Sequence, residues 1–331
     1  MKTTKIAFVS CAYATYRPDQ PAWQQILDQV PDLNLLLMLG DTAYMDWGQR
    51  WDLYALNKCY EEQSKIKAYR ELIAKVPTLA IWDDHDCGYN DIRGAEEPEL
   101  VKQSRALFDY WMGFAVNAGR PEMYAVYDKL PDVRILMLDC RSERTLPTAA
   151  NPTMLGSAQE DWLWKQLDPA QSVQRPITIL ANGVGLSEGN PLEVVNAYAK
   201  FWAKLRKEIS FREKPSGADG DCGRRALYLA GDIHRNKFLP FERKPVNGES
   251  LGPLESERIY QVLSSGVACF IPKTDSIKQF TPDRYTDNWG LLTIDAENVT
   301  IDFHGRHDIP GAQSSNNFTR VIRRSDWQLV P

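Results

Sequence analysis

The chain has 331 residues, a size that α/β folds often reach as one unit and that can bury a large core without disulfides. Its 43% hydrophobic and 25% charged residues are ordinary for a soluble globular protein, and no apolar run approaches the roughly 20 residues of a membrane-spanning helix. The formal net charge of -5 argues against binding to long nucleic acid, whose protein partners usually present a basic face.

Short apolar runs and amphipathic stretches alternate along the first half of the chain. The predicted strands are residues 6–11, 33–39 and 78–82. The predicted helices are residues 23–30, the helically patterned segment 51–76 and the apolar positions that recur from Leu100 to Phe114. Alternating strands and helices indicate a layered α/β architecture.

The second half repeats this alternation and then becomes rich in strands. The predicted strands are residues 124–127, 133–138, 177–180, 226–229, 259–263, 291–294 and 299–303. A capping box at residues 157–160 predicts a helix through residue 167, and apolar spacing predicts another at 192–205. The last strands have no helices between them, which predicts added antiparallel pairing. Residues 214–223 and 241–257 are predicted to be polar loops.

The cysteines and the amino terminus bear on the compartment. Six cysteines stand at 11, 59, 87, 140, 222 and 269 without a CxxC pair, which favours reduced thiols in the cytoplasm. The apolar run that follows Lys5 is shorter than the roughly 7–15 residues of a signal-peptide core. We therefore predict a buried first strand and a cytoplasmic protein.

Five predicted strands end in residues that can bind metals. These ends are Ser10-Cys11, Gly40-Asp41 with Tyr44, the run Asp83-Asp84-His85-Asp86, Asn182, and Gly231-Asp232 with His234. In open α/β sheets, ligands bind outside the carboxyl ends of the strands. We therefore expect these side chains to meet at one edge of the fold.

The run from Asp83 to Asp86 is the densest of these ends. Four ionisable residues sharing a dry site would repel one another, and a bound cation removes that conflict. The alternative is a solvated turn or a helix cap, where aspartate is common. Asn90 and Asp91, a few residues later, could supply a further oxygen ligand.

The remaining candidate residues each have two interpretations. His85 and His234 fall inside strand-end motifs, whereas His304 and His307 are interpreted as ordinary polar residues. Cys11 alone would be a small buried hydrophobic residue, but beside a cation it would be a thiolate ligand. Arg141 and Arg144 could bind a phosphate or could form salt bridges to nearby aspartates.

The motifs taken together resemble the PhoD-like (alkaline phosphatase D) family of metallophosphatases over about residues 6–305. In chain order they are Ser10-Cys11, Gly40-Asp41-x-x-Tyr44, Trp82-Asp83-Asp84-His85-Asp86 with Asn90-Asp91, Asp139-x-Arg141-Ser142-x-Arg144, Gly156-x-x-Gln159-x-x-Trp162-Leu163 and Gly231-Asp232-x-His234. The resemblance implies a calcineurin-like αββα sandwich with a mixed pair of sheets. Secreted members carry an export signal and an amino-terminal β-domain, and this chain is expected to be a single catalytic domain over residues 1–331.

The resemblance also implies a metal centre of iron with calcium. Its implied iron ligands are Cys11, Asp41, Tyr44 and His234. Its candidate ligands for the remaining metals are Asp84, Asn90, Asn182 and Asp232. Asp41 would bridge the metals and His85 would lie near the leaving group. Other divalent ions (Mn2+, Zn2+ or Mg2+) are alternatives to the iron and calcium.

The resulting hypothesis is hydrolysis of a small phosphate ester by a hydroxide that the cations activate. In it, Arg141 or Arg144 stabilises charge on the phosphoryl oxygens, and His85 protonates the leaving oxygen. A different class of function is a metal-binding protein that senses a phosphorylated ligand without hydrolysing it. A third is a nuclease-like or phospholipase-like diesterase, which the net charge disfavours for long nucleic acid.

Overall fold

The computed structural model describes residues 3–15, 17–45, 51–168, 176–212, 222–241, 258–270, 285–305 and 317–331. The helices are α1 (Pro21–Gln29), α2 (Leu53–Lys65), α3 (Lys67–Lys75), α4 (Asp84–Cys87), α5 (Pro98–Trp111), α6 (Ser157–Leu167) and α7 (Ala199–Ile209). The strands are β1 (Thr4–Val9), β2 (Leu35–Leu39), β3 (Thr78–Ile81), β4 (Ala125–Tyr127), β5 (Val133–Met137), β6 (Ile177–Ala181), β7 (Phe211–Arg212), β8 (Cys222–Gly223), β9 (Ala226–Ala230), β10 (Lys237–Phe241), β11 (Ile259–Leu263), β12 (Cys269–Phe270), β13 (Tyr285–Thr286), β14 (Trp289–Ile294), β15 (Asn298–His304), β16 (Phe318–Arg323) and β17 (Leu329–Val330). Most of the two predicted polar loops, and His307, lie outside the described residues.

Two mixed sheets form the centre of the molecule. The first has seven strands in the order β17-β16-β15-β14-β1-β2-β3, and the second has six in the order β10-β11-β9-β6-β5-β4. Strands β1, β2 and β3 are parallel, as are β5, β6, β9 and β11. Strands β14 to β17 are added in antiparallel pairs, which confirms the expectation for the carboxyl-terminal strands.

Helices cover the outer face of each sheet, because the inner strands are apolar on both faces. All five residues of β2 and of β6 are buried. Alternation along β6 directs Ile179 into the cluster between the sheets and Leu180 into a second cluster. That second cluster includes Leu163 of α6 and Leu205 of α7, whereas Trp23 of α1 packs on the first sheet. The result is the predicted αββα sandwich.

Several predicted helix boundaries differ from the structure. The segment 51–76 forms two helices, since the backbone of Ile66 is extended between α2 and α3. Helix α7 begins at Ala199, after a 3₁₀ turn at Val195–Ala197, rather than at residue 192. No helix among the described residues has the length and apolar character needed to cross a bilayer.

The predicted capping box at residues 157–160 is wrong, although the helix it predicted is present. Gly156 occupies the N-cap position with a φ of 76°, and no side chain caps the helix. Glu160 instead accepts a hydrogen bond from the hydroxyl of Thr153 at 3.2 Å. Glycine adopts this positive φ without strain, so Gly156 is the N-cap. The helix therefore begins at Ser157, one residue earlier than it would with Ser157 as its cap.

Candidate metal centre

The polar ends of strands from both sheets meet, as the sequence predicts. The backbone N–H of Cys11 donates to the carbonyl of Gly40 at 3.2 Å, which joins the ends of β1 and β2. The N–H of Val267 donates to the carbonyl of Ser10 at 2.9 Å, which joins β1 to the loop after β11 in the other sheet. The strand ends of both sheets therefore supply side chains to one site.

Two glycines allow this close approach. A Cβ added at Gly40, whose φ is +95°, would lie 2.4 Å from the Cβ of Asp83. A Cβ added at Gly183, after β6, would lie 2.2 Å from the carboxyl carbon of Asp83. Asp83 is thus enclosed between the ends of β2 and β6, with no room for a larger residue in either loop.

We expect Gly183→Ala to lower the free energy of unfolding by about 1–3 kcal/mol, because the new methyl group must displace the carboxylate of Asp83. Urea titration of the metal-free protein measures this change. Gly113→Ala is the matched control, since its added Cβ would meet only backbone atoms at 3.4 Å or more. The control should change stability by less than about 0.5 kcal/mol. Equal effects of the two variants would contradict the crowding of Asp83.

Four of the predicted ligands have a left-handed backbone. The φ angles are 62° at Cys11, 56° at Asp41, 70° at Asp232 and 52° at His234. Residues other than glycine seldom adopt this conformation, and each instance costs on the order of 1 kcal/mol. Such strain concentrates at functional sites, where the surrounding structure holds it in place. The strained positions therefore mark the same edge of the fold as the sequence motifs.

One side of the site carries sulfur, phenol and imidazole donors. The Tyr44 hydroxyl donates to Oδ2 of Asp41 at 2.6 Å and lies 3.3 Å from Nε2 of His234. The thiol of Cys11 donates to the same Asp41 oxygen at 3.5 Å. The structure thus brings together all four residues that the family resemblance assigns to iron.

Burial keeps the Cys11 thiol and the Tyr44 hydroxyl protonated when no cation is present. It raises the pKa of the Cys11 thiol to about 11, and it raises the pKa of Tyr44 well above its usual value, with Asp41 adding to the effect. Thiolate and phenolate are the forms that bind metals, and a nearby cation stabilises them. The donor set is therefore chemically suited to a transition-metal ion.

The other side of the site is made of oxygen donors. Three groups of side chains, among the described residues, have ligand atoms within 4.8 Å of one another. The groups are Asp41, Asp84 and His85; Asp83, Asp84 and Asp232; and Asp84, Asp91 and Glu193. Asp84 belongs to all three, so it is the centre of the acidic cluster.

Among the described residues of this region, four side-chain oxygens are buried without a hydrogen-bond partner. They are Oδ2 of Asp83, Oδ1 of Asp84, Oδ1 of Asn182 and Oε2 of Glu193, and each residue is 2% exposed or less. Buried polar atoms are rarely left unsatisfied, and such exceptions often mark an ion site. Carboxylate and amide oxygens are the ligands that calcium and magnesium prefer. These orphaned atoms fit hard cations bound beside Asp84.

The electrostatics of the acidic cluster agree with this fit. Burial raises the pKa of Asp41 and of Asp232 well above the usual value, and neighbouring carboxylates raise them further. Burial also raises the pKa of Asp83 to about 7. For Asp84 the positive charge of Arg141, together with His85, outweighs burial and lowers the pKa. Crowded carboxylates of this kind favour a bound cation over the metal-free state.

We expect the metal-free protein to lose stability as pH rises from about 5 to about 8. Burial raises the pKa of Asp83 from 3.8 to about 7 and that of Asp86 from 3.8 to about 6. Between these values the folded state binds more protons than the unfolded state, so the free energy of unfolding falls with pH, by roughly 2–4 kcal/mol. Urea titrations in chelator measure this change, and stability that increases with pH over this window would contradict it.

The run from Asp83 to Asp86 contains both helix-capping residues and members of the ligand cluster. Asp84, His85 and Asp86 lie in the short helix α4, and Asp83 occupies its N-cap position. Asp86 accepts hydrogen bonds from the Asp83 N–H at 3.2 Å and the Tyr60 hydroxyl at 2.7 Å, which are capping and packing contacts. Asp83, Asp84 and His85 instead belong to the ligand groups.

Arg141 and Arg144 are buried in ion pairs. Arg141 pairs with Asp83, with Glu193 at 2.7 Å and with Asp84 at 3.6 Å. Arg144 pairs with Glu193 at 2.5 Å and donates to two backbone carbonyls, those of Asp91 and Ile92. The structure therefore shows the salt-bridge interpretation of both arginines, and contact with phosphate remains a prediction.

Two other predicted residues have different surroundings. Asn182 is buried after β6, and its amide donates to the Tyr228 hydroxyl at 2.5 Å, which leaves its carbonyl oxygen for a ligand. Asn90 is exposed. Asp91 is the residue of that turn that contacts the cluster, since its N–H donates to Oδ2 of Asp84 at 2.6 Å.

Glu193 and Cys269 were not among the predicted residues. Glu193 lies 52 positions from Arg141 in the sequence, in a segment read as the start of a helix, and nothing in its local pattern marks it. Cys269 follows β11, and its thiol lies 3.3 Å from Nε2 of His234. The residues after β11, Ser264-Ser265-Gly266, are a polar strand end like the others, so this signal was available in the sequence.

Solved structures of known proteins share this fold. PhoD aligns with 100% of this chain and 72% of its own, at 16% identity and a TM-score of 0.70. Purple acid phosphatase PPD1 from yellow lupin (Lupinus luteus) seeds aligns with 96% of this chain and 53% of its own, at 14% identity and a TM-score of 0.55. GAP50, the anchor in the inner membrane complex of Plasmodium, aligns with 94% and 87%, at 11% identity and a TM-score of 0.51.

These structural likenesses, at low identity, show the calcineurin-like fold. A search of curated proteins found no match. A family model described as PhoD-like phosphatase matches residues 6–266, which run from β1 to the loop after β11 and include every metal ligand predicted from the sequence. The chain therefore belongs to the PhoD-like phosphatase family and is a metal-dependent phosphoester hydrolase.

Proposed function

We propose that the protein hydrolyses small phosphate esters with Fe3+ and Ca2+, and that Asp41 would help to hold both ions. The position of Asp41 carries the proposal. Its Oδ2 accepts hydrogen bonds from Tyr44 and Cys11, while Asp41 also shares a ligand group with Asp84 and His85. A single carboxylate thus touches both donor sets, as a bridging ligand must.

The two donor sets suit different ions. Cys11, Tyr44 and His234 offer sulfur, phenolate and imidazole, which favour a transition metal. Asp84, Asn182 and Asp232 offer oxygens only, which favour Ca2+, with Mn2+, Zn2+ or Mg2+ as alternatives. When bound, such a pair of cations supplies a nucleophilic hydroxide and neutralises charge on the phosphoryl group.

Among the arginines, we assign contact with the phosphoryl oxygens to Arg141. Among the described residues its Nη2 has no hydrogen-bond partner, although it lies 3.6 Å from Oδ1 of Asp84, while its other nitrogens donate to Asp83 and Glu193. A guanidinium that is held by two carboxylates and retains a donor without a hydrogen bond can donate to an anion beside Asp84. Arg144 also has a nitrogen, Nε, without a hydrogen-bond partner among the described residues, but its Nη2 donates to Glu193 and to two backbone carbonyls, so we assign it the positioning of Glu193.

We assign protonation of the leaving oxygen to His85. Its ring lies 4.1 Å from the ring of Tyr44, centroid to centroid, and its side chain is half-buried beside Asp41 and Asp84. A group that reaches solvent on one side and the ligand cluster on the other can deliver a proton to a departing alkoxide.

The proposed substrates are small, soluble esters in the cytoplasm. The net charge of -5 disfavours long nucleic acid, and none of the five cysteines whose side chains the structure describes forms a disulfide. Specificity is assigned to the segments near residues 45–60, 88–98, 214–224 and 241–257. Residues 53–60 of the first segment belong to α2 rather than to a loop, and residues 46–50, 214–221 and 242–257 lie outside the described residues.

Metal analysis and an activity assay on the same sample test the proposal. The purified, untagged protein would be analysed by plasma mass spectrometry and assayed on p-nitrophenyl phosphate and bis-p-nitrophenyl phosphate. Near-stoichiometric iron with calcium and turnover is the expected result, and the ratio of the two rates distinguishes monoester from diester preference. Neither metal nor turnover after reconstitution with iron and calcium would overturn the proposed site.

A further inference from the structure

Cys269 is a buried cysteine beside the predicted iron ligands. It lies on β12, is 1% exposed, and its Sγ is 3.3 Å from Nε2 of His234. The same nitrogen is 3.3 Å from the Tyr44 hydroxyl. Cys269 also forms a small buried cluster with Cys11, Tyr13 and Tyr44. The family match ends at residue 266, so family membership assigns no role to this cysteine.

Backbone contacts fix Cys269 relative to Cys11. The N–H of Ala268 donates to the carbonyl of Cys11 at 3.2 Å, and Ala12 and Ala268 form a parallel bridge. On its other side, the carbonyl of Cys269 accepts a hydrogen bond from the Thr286 hydroxyl at 3.1 Å. The two cysteines therefore lie on adjacent, hydrogen-bonded segments. These backbone contacts fix the position of Cys269 in the site.

We propose that Cys269 is a second thiolate ligand of the transition-metal site, so that the metal binds two sulfur atoms rather than one. This inference rests on the proposed metal centre and extends it. Contacts join these donor atoms in one series, in which Asp41 lies between Cys11 and Tyr44, and His234 lies between Tyr44 and Cys269. Binding of Zn2+ or iron displaces the thiol proton, which passes to the buffer.

A second thiolate increases the difference in metal preference between the two sides of the site. Thiolates favour zinc and iron over calcium and magnesium, whereas the side with Asp84, Asn182 and Asp232 has only oxygen donors. Cys269 would thus direct a thiophilic metal to the His234 side and leave the hard cation beside Asp84. In this role it selects the metal rather than taking part in phosphoryl transfer.

X-ray absorption at the zinc edge tests the inference without an activity assay. The metal-free protein would be loaded under reducing conditions with one equivalent of Zn2+ in excess Ca2+, because Zn2+ has no redox chemistry of its own. Zn–S bonds of about 2.3 Å are resolved from Zn–N and Zn–O bonds of about 2.0–2.1 Å. We expect two sulfur atoms per zinc in the wild type and one in Cys269→Ser.

The matched control is Cys140→Ser, a cysteine that is also buried but packs in the cluster against α6 and α7. It should retain two sulfur atoms per zinc. Cys269→Ala provides a second variant if the serine perturbs folding, which thermal melting of the metal-free forms would reveal. One sulfur in the wild type, lost in Cys11→Ser and unchanged in Cys269→Ser, would overturn this inference alone. No sulfur in any sample would overturn the Cys11 site as well.

Discussion

Asp41→Asn is expected to remove the bound transition metal and to lower turnover of p-nitrophenyl phosphate by about 10³-fold or more. Asp41 is the residue that both donor sets share, since one oxygen contacts Tyr44 and Cys11 and the other accepts the backbone N–H of His85 at 3.2 Å. An amide keeps the shape of the side chain but lacks the charge needed to hold two cations.

The stability of the metal-free protein should change in the opposite direction. Burial, with the charge of Asp84, raises the pKa of Asp41 well above its usual value, so a charged form at this position is disfavoured in the folded state. A neutral asparagine removes that conflict, and the free energy of unfolding should therefore be unchanged or higher. Loss of activity without loss of stability separates a ligand from a residue that merely supports the fold.

Plasma mass spectrometry, a turnover assay and urea titration on the same preparation measure the three effects. The control is Asp109→Asn on α5, whose carboxylate forms an ion pair with Arg105 at 2.8 Å and is 38% exposed. This control should retain its metals and its rate, since exposed ion pairs contribute little. Full metal content with an unchanged rate in Asp41→Asn would show that Asp41 is not the bridge.

The sequence was most informative where a local pattern carries a physical constraint. Buried parallel strands read as continuous apolar runs, and this pattern located β2, β3, β5, β6 and β9 to within a residue or two. Polar residues directly after such runs must lie at the carboxyl edge of the sheet. Cys11, Asp41 and Asp232 were found in this way, and the family resemblance then assigned their roles.

The contacts that the sequence did not predict join residues far apart in the chain. Glu193 is 52 positions from Arg141 and 49 from Arg144, and its approach depends on how the loop after β6 folds over the site. Asp91 reaches the cluster through a local feature of the backbone, since it has a left-handed φ of 62° and its N–H donates to Asp84. Neither effect leaves a periodic signal in the sequence.

His85→Ala should lower turnover of an alkyl phosphate by about 10²–10⁴-fold, the usual contribution of a general acid, but that of 2,4-dinitrophenyl phosphate by less than about tenfold. An alkoxide leaves only when it is protonated, whereas dinitrophenolate leaves unassisted. A ring nitrogen of His85 lies within 4.8 Å of carboxylate oxygens of both Asp41 and Asp84, the residues that would hold the cations. Steady-state rates on the two esters measure the difference.

The pH dependence gives the same prediction an independent readout. Burial is the largest effect on His85 and lowers its pKa, although Asp84 opposes this. The protonated acid therefore becomes scarcer as pH rises through that lowered pKa, and the rate on the alkyl ester should fall with pH in the wild type. This fall in rate with rising pH should be absent in His85→Ala. It should also be absent for the dinitrophenyl ester in both proteins.

A metal ligand and a general acid at position 85 differ in one further measurement. His85 shares a group with Asp41 and Asp84, so its nitrogen could itself bind a cation. If it does, His85→Ala and His85→Gln lose metal and slow both esters alike, and the acid role is wrong. If His85 is the acid, metal content stays unchanged and only the ester with the poor leaving group is slowed. The selectivity for the leaving group, rather than the size of the loss, therefore identifies the role.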